Sequence, residues 1–302
     1  MLLINHNIEM MLIVLLIMLL RCMLKKLPRK IIYSFWRALP IFFFGLPLMK
    51  RIINETVWKK EGAKSVVMIQ GKWLPLVVFI WGGGIVIILL HNLLCVYKMK
   101  KCLDKSRQIY KNIFVSERIS VPFSIGLIHP RIYLPESVKK KYYGAVVLHE
   151  KVHISRKDHW SNQVFYAMVV FCWIQPLMWI AYHMFVSDTE IVCDEIALKE
   201  KSKKYRMRYA EALIEIAYMP GKGIAELGYA GGKIGERIEY IRRYNKDAGY
   251  NSKKLSGICI VFLLAAVLGV GSIPDFFDVN NPNNRSVDEE SVWLLREVDK
   301  TQ

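Results

Sequence analysis

Apolar positions in this chain gather into long uninterrupted runs, rather than the alternating or helical-face stripes of a soluble domain. Residues 73–94 are 22 consecutive residues without a charged side chain. At about 1.5 Å per residue, such a run crosses about 30 Å of hydrocarbon as a helix. Residues 255–273 form a second uncharged run, introduced by Lys253 and Lys254 and closed by Pro274. Residues 31–49 are a weaker third, interrupted by Arg37, which can reach a headgroup, and bent by Pro40 and Pro47. Residues 10–20 are purely apolar but short for a span. The pattern predicts a mainly α membrane protein with about four transmembrane helices. Residues 1–96 hold three spans (about 10–20, 31–49 and 73–94), 97–254 a domain of its own, 255–273 the fourth span and 274–302 a short tail.

Charge then orients the chain. Basic residues follow the first run (Arg21, Lys25, Lys26, Arg29, Lys30) and the third (Lys98, Lys100, Lys101, Lys105, Arg107), which assigns both clusters to the cytoplasm and the N-terminus to the outside. The tail carries seven acids against three bases, in keeping with an extracellular position. Residues 50–72 are basic yet should be external, and they resist this scheme. The formal net charge of +17 is therefore read as a topology signal, with no direct nucleic-acid partner. The basic stretch 199–208 likewise suits anionic lipid headgroups. Cys22, Cys95, Cys102, Cys172, Cys193 and Cys259 are scattered without paired spacing, which argues against a disulfide framework.

One pentapeptide carries chemistry. HEKVH, residues 149–153, continues the apolar stretch 142–148, and a helix through both places His149 and His153 on one face. Two imidazoles a turn apart can share a tetrahedral Zn²⁺, and Glu150 projects to where an attacking water would sit. A third protein ligand is needed, and SDTEIVCDEIAL offers Asp188, Glu190, Asp194 and Glu195. Spacing alone does not choose among them, although Glu190 and Asp194 are a helical turn apart.

Four ordered blocks resemble the BlaR/MecR family of integral membrane zinc metallopeptidases, the antirepressors of β-lactam resistance. They are VPFSIGLIHPRIYLPES (121–137), LHEKVHISRKDHW (148–160), WIQPLMWIAYHMF (173–185) and DTEIVCDEIAL (188–198). The resemblance implies a gluzincin-like domain, helical with a small β element, on the cytosolic side of a bacterial plasma membrane. It maps the third zinc ligand onto Glu190 and an acid that orients a histidine onto Asp194, and leaves Glu150 as general base. It implies that an edge strand beside the metal helix pairs with substrate, with Phe123, Ser124, Ile125 and Gly126 as candidates and residues 131–134 as an alternative. It implies a protein substrate, plausibly a winged-helix repressor, and self-cleavage in some members, for which Arg242 and Arg243 are the candidate region. Relatives that sense β-lactams carry an external penicillin-binding domain with a Ser-x-x-Lys motif. Residues 274–302 contain no such motif, so direct acylation is not expected here.

The mapping also bears on residues 160–185, which hydropathy alone reads as a span. A crossing there would put Glu190 on the opposite side of the bilayer from His149 and His153. The segment is therefore expected to be a buried helical pair broken near Gln175 and Pro176, lying close to the membrane surface. His159 and His183 are read as structural, and Arg156 and Asp158 as braces for a helix end. The nearest enzymatic alternative is a housekeeping membrane protease of the HtpX type, which shares HExxH with a later Glu-x-x-x-Asp. The block at 121–137 favours the antirepressor family. A signalling scaffold with an idle zinc site is the alternative from another class, and an intact Glu150 argues against it.

Overall fold

The computed structural model describes residues 2–23, 29–57, 74–199, 201–217 and 234–243. The expected fourth span at 255–273 and the tail 274–302 lie outside the described residues. So do residues 58–73 and the end of the expected domain, 244–254.

Three helices open the chain: α1 (Leu2–Met23), α2 (Arg29–Val57) and α3 (Leu74–Leu103). Each reaches beyond its apolar run, because backbone hydrogen bonding continues through flanking polar residues. α2 passes through Pro40 and Pro47 without a break in its assignment. Among the described residues, only α3 is long and apolar enough to cross a membrane, and its apolar stretch is not buried inside the protein. α1 contributes a shorter apolar segment, Met10–Cys22.

A four-stranded sheet follows: β1 (Arg107–Tyr110), β2 (Ile113–Ser116), β3 (Phe123–Ile125) and β4 (Arg131–Pro135), in the order β1-β2-β4-β3. The expected strand pair is the antiparallel β3–β4 hairpin, and β2 lies parallel to β4 on its other side. Aromatic rings bind the three strands together, with Tyr133 stacked between Phe114 at 5.3 Å and Phe123 at 5.7 Å. Gly126 ends β3 with φ +122°, and a Cβ there would lie 2.6 Å from the His129 carbonyl oxygen. Glycine is the residue that allows the chain to reverse at this point.

After a 3-10 turn at Lys140–Tyr142 come α4 (Tyr143–Arg156), α5 (Asp158–Phe171), α6 (Pro176–Ala197), α7 (Lys203–Ala217) and α8 (Ile234–Arg243). A single residue separates α4 from α5. Lys157 adopts the left-handed conformation (φ 57°, ψ 37°), and its N–H caps the His153 and Ile154 carbonyls. That turn swings Asp158 back toward the last turn of α4. α5 and α6 are the expected helical pair, and Pro176 begins α6 where its missing N–H costs nothing.

Two cores meet along α6. One joins α1, α2, α5 and the first part of α6 through residues such as Ile17, Trp36, Phe165 and Phe185. The other joins the sheet, α4, α7, α8 and the end of α6 through Ile132, Val146, Cys193 and Tyr209. A buried ion cluster stitches the first core to the second. Asp188 accepts from Arg21 Nε at 3.0 Å and Trp36 Nε1 at 2.9 Å, while Arg29 reaches Glu236 on α8 at 2.8 Å. Asp188 is fully buried, so these donors replace its hydration.

Candidate metal centre

α4 and α6 pack side by side and bring the expected triad together. One donor atom each from His149, His153 and Glu190 lies within 4.8 Å of the other two. The His149 and His153 Nε2 atoms are 3.0 Å apart, and Glu190 approaches them at 3.2 and 3.3 Å. Metal–ligand bonds of about 2.0–2.1 Å at tetrahedral angles give ligand separations of about 3.3 Å. The three distances therefore match one tetrahedral ion.

The hydrogen bonds behind the imidazoles explain why this arrangement asks for a cation. Tyr209 donates its hydroxyl proton to Asp194 Oδ1 at 2.6 Å. The Tyr209 hydroxyl oxygen then accepts from His149 Nδ1, 2.8 Å away. His153 Nδ1 donates to Asp158 Oδ2 at 2.9 Å. With both Nδ1 atoms engaged, the two Nε2 atoms converge on each other and on a carboxylate. A cation satisfies that convergence, and the donor set of two imidazoles and a carboxylate suits Zn²⁺.

Arg237, on α8, closes the back of the cluster. Its guanidinium grips Asp194 through Nε at 2.7 Å and NH2 at 2.8 Å, and reaches Glu190 through NH1 at 3.0 Å. Burial opposes ionisation of both carboxyls, but Arg237 outweighs it, holding Glu190 well below its usual range and Asp194 at about 2. Both acids are thus charged at neutral pH. Glu150 is buried on α4 beside His149.

Three participants exceed what the sequence suggested. Asp158, read as a brace for a helix end, holds the ring of His153. Tyr209 and Arg237 carry no metal-ligand spacing, and Arg237 lies 43 residues from Asp194. The sequence offered only the short charge-rich segment 234–243, which singles out none of its arginines. Of the two substrate-strand alternatives, β4 is enclosed between β2 and β3, whereas β3 is an outer strand and contacts α4. Phe123, Ser124, Ile125 and Gly126 therefore remain the candidates, and residues 131–134 do not. His159 accepts its structural assignment through Leu127, whose carbonyl lies 3.2 Å from Nε2. Arg242 is exposed on α8 and pairs with Glu239 at 3.0 Å, and Arg243 is the final residue of that helix.

Replacing Tyr209 by Phe removes the hydroxyl that links His149 to Asp194. The expected outcome is a loss of about tenfold in metal affinity, measured by chelator competition, with the fold retained. An unchanged affinity would show that His149 needs only Asp194, 3.2 Å from its Nδ1.

Comparison with known proteins finds related sequences. The methicillin resistance mecR1 protein of Staphylococcus aureus is 28% identical over 169 residues, covering 52% of this chain and 29% of its own length. The regulatory protein BlaR1 of Bacillus licheniformis is 26% identical over 183 residues, covering 52% of this chain and 30% of its own length. The chain thus spans less than a third of these relatives. Residues 49–241 match the family described as BlaR1 peptidase M56, and the match takes in the sheet, the histidines, Glu190 and Arg237. This chain belongs to the BlaR1 peptidase M56 family.

Proposed function

We propose that the chain is a membrane-embedded, zinc-dependent endopeptidase of the antirepressor type. In this reading it is a multi-pass protein of the bacterial plasma membrane, acts on the cytosolic side and cleaves a winged-helix repressor in response to an outside signal. The observation that carries it is the convergence of His149 Nε2, His153 Nε2 and Glu190 beside Glu150. The intact set supports an active peptidase over a scaffold with an idle site.

Bound Zn²⁺ supplies a Lewis acid that polarises the scissile carbonyl and acidifies water. The rest falls to the protein. His149, His153 and Glu190 fix the ion, and Asp194, Tyr209 and Asp158 fix the two rings. Glu150 takes the proton from the attacking water and returns it to the leaving amine, so one carboxyl serves both halves of the hydrolysis. β3 offers its outer edge to an extended substrate backbone, with affinity from main-chain hydrogen bonds and little sequence preference. Lipid contacts α1, α2, α3 and a fourth span at 255–273, with the domain running over 97–254.

Self-cleavage at Arg242 and Arg243 belongs to the same proposal. Both residues close α8, so the helix end must unwind before a strand-binding site can accept it. Terminal turns are the least costly to open.

Purified protein is expected to carry one Zn²⁺ per chain by elemental mass spectrometry, and His153→Ala to lose it. Cleavage of a co-expressed repressor, or of the chain itself, should stop on chelation and return with added zinc. Cleavage that persists in metal-free protein overturns the proposal.

A further inference from the structure

The tip of the α5–α6 hairpin is docked against the middle of α3. Trp81 donates its indole N–H to the Phe171 carbonyl at 3.0 Å, and Trp173 donates to the Trp81 carbonyl at 3.1 Å. The Phe171 ring meets Trp81 edge-on at 4.9 Å and Phe43 of α2 at 5.8 Å. Gly84 leaves the room for Trp173, since any side chain at that position would overlap the indole ring. Lower down, Asn92 bonds Tyr166 at 3.0 Å, so α3 and α5 run in opposite directions where they meet.

Those contacts fix a depth. Gly84 lies at the centre of the uncharged run 73–94 and 14 residues from Lys98. At 1.5 Å per residue that is about 21 Å from the basic end of α3. Phe43 lies 14 residues from Arg29 on α2, again about 21 Å. From Asp158, which holds His153, α5 climbs about 20 Å to Phe171. Measured along α3 and along α2, the turn at 172–175 lies more than half the thickness of a 30 Å hydrocarbon layer from the basic residues, and along α5 it lies about 20 Å from Asp158.

The turn is also built for a place without water. Phe171 and Trp173 expose carbonyls where α5 ends, and indole N–H groups of Trp81 and Trp179 cover them, the latter at 3.0 Å. A backbone break inside hydrocarbon is tolerated only when such groups are satisfied by the protein. Next to the turn the exposed side chains are apolar (Ala167, Phe171, Ile174, Pro176 and Ile180), with Val164 further down α5, and exposed polar groups return only at Gln163 and His183. Exposed apolar residues on a surface continuous with α3 call for an apolar partner.

We propose that α5 and α6 form a re-entrant hairpin that enters the bilayer from the side of the basic clusters, turns back near its mid-plane, and meets lipid acyl chains along Val164, Phe171, Ile174 and Ile180. This rests on α3 being a span. It replaces the surface-lying helical pair expected from the sequence and sets the metal centre at the membrane interface, about 20 Å below the turn.

Cysteine accessibility in the full chain tests it, with Cys22, Cys95, Cys102, Cys172 and Cys259 replaced by Ser. In sealed vesicles, Ile174→Cys should resist a polar maleimide from either side and react once detergent dissolves the bilayer. Lys151→Cys and Lys204→Cys should both react, from the same side. Reaction of Ile174→Cys in sealed membranes overturns the hairpin in favour of a surface position. Reaction of Lys151→Cys and Lys204→Cys from opposite sides overturns it in favour of a full crossing. Ile87→Cys reports on α3 alone, so a failure of the span is told apart from a failure of the hairpin. The unsubstituted protein provides a second measurement. A diazirine placed at the end of a phospholipid acyl chain should mark residues 171–180, and absence of adducts there counts against the proposal.

Discussion

Glu150→Gln is expected to keep its zinc and lose its cleavage. Gln has the size of Glu and sits at a buried position on α4, so helix packing and the His149–His153–Glu190 triad should persist. The amide cannot accept the proton from the attacking water, nor return one to the leaving nitrogen. General acid–base catalysis contributes about a hundred- to ten-thousandfold, and cleavage should fall by that factor. Single-turnover rates on a co-expressed repressor or on the chain itself, set beside metal content and circular dichroism, separate loss of the base from loss of the site. Undiminished cleavage in zinc-loaded protein would sink the peptidase proposal, because no other buried carboxylate adjoins the histidines from α4.

Arg237→Met should have the next largest effect, through the metal rather than the proton. It leaves Glu190 and Asp194 buried without their guanidinium, and stranding one partner of a buried ion pair costs about 3–5 kcal/mol. Two readouts should move together: zinc affinity, by about ten- to a hundredfold, and the melting temperature. Arg237→Lys should recover part of the affinity, since an ammonium restores charge but lacks the planar fork whose three nitrogens reach both acids. The acid limb of stability offers a further check. Asp194 titrates at about 2 when folded, below the ordinary value of 3.8. Its contribution, about 2 kcal/mol, is therefore complete above pH about 4 and lost as pH falls toward 2. Without Arg237 the carboxyl binds protons more readily and the loss should begin at higher pH. Coincident acid unfolding and unchanged zinc affinity in Arg237→Met would deny Arg237 this role.

The local chemistry of the site could be read from sequence because it is helical. The i, i+4 spacing in HEKVH and between Glu190 and Asp194 survives in α4 and α6, since a helix converts sequence interval directly into a shared face. The break at Pro176 was equally plain, as proline ends a helix by geometry. What could not be read depends on chain segments meeting across long intervals. Arg237 reaches Asp194 because α8 packs against α6 from 43 residues away. Tyr209 reaches His149 across 60 residues. Asp158 reaches His153 because Lys157 adopts a left-handed conformation that no pattern of apolar residues announces. Hydropathy failed in another way at 160–185, where it measures apolarity but not direction, and a hairpin and a crossing have the same composition.

Asp188 and Glu190 are two residues apart on α6, which turns their side chains about 200° from one another around the helix axis. Asp188 is held by Arg21 of α1, and Glu190 faces the histidines of α4. The two ends of this short stretch of backbone thus answer to different parts of the molecule, like opposite teeth of one cog. Any rearrangement of the N-terminal helices that twists α6 by its Asp188 side must turn Glu190 through the same angle and change the coordination available to a metal. A motion there need not travel to reach the candidate metal centre, because both are fastened to the same turn of helix.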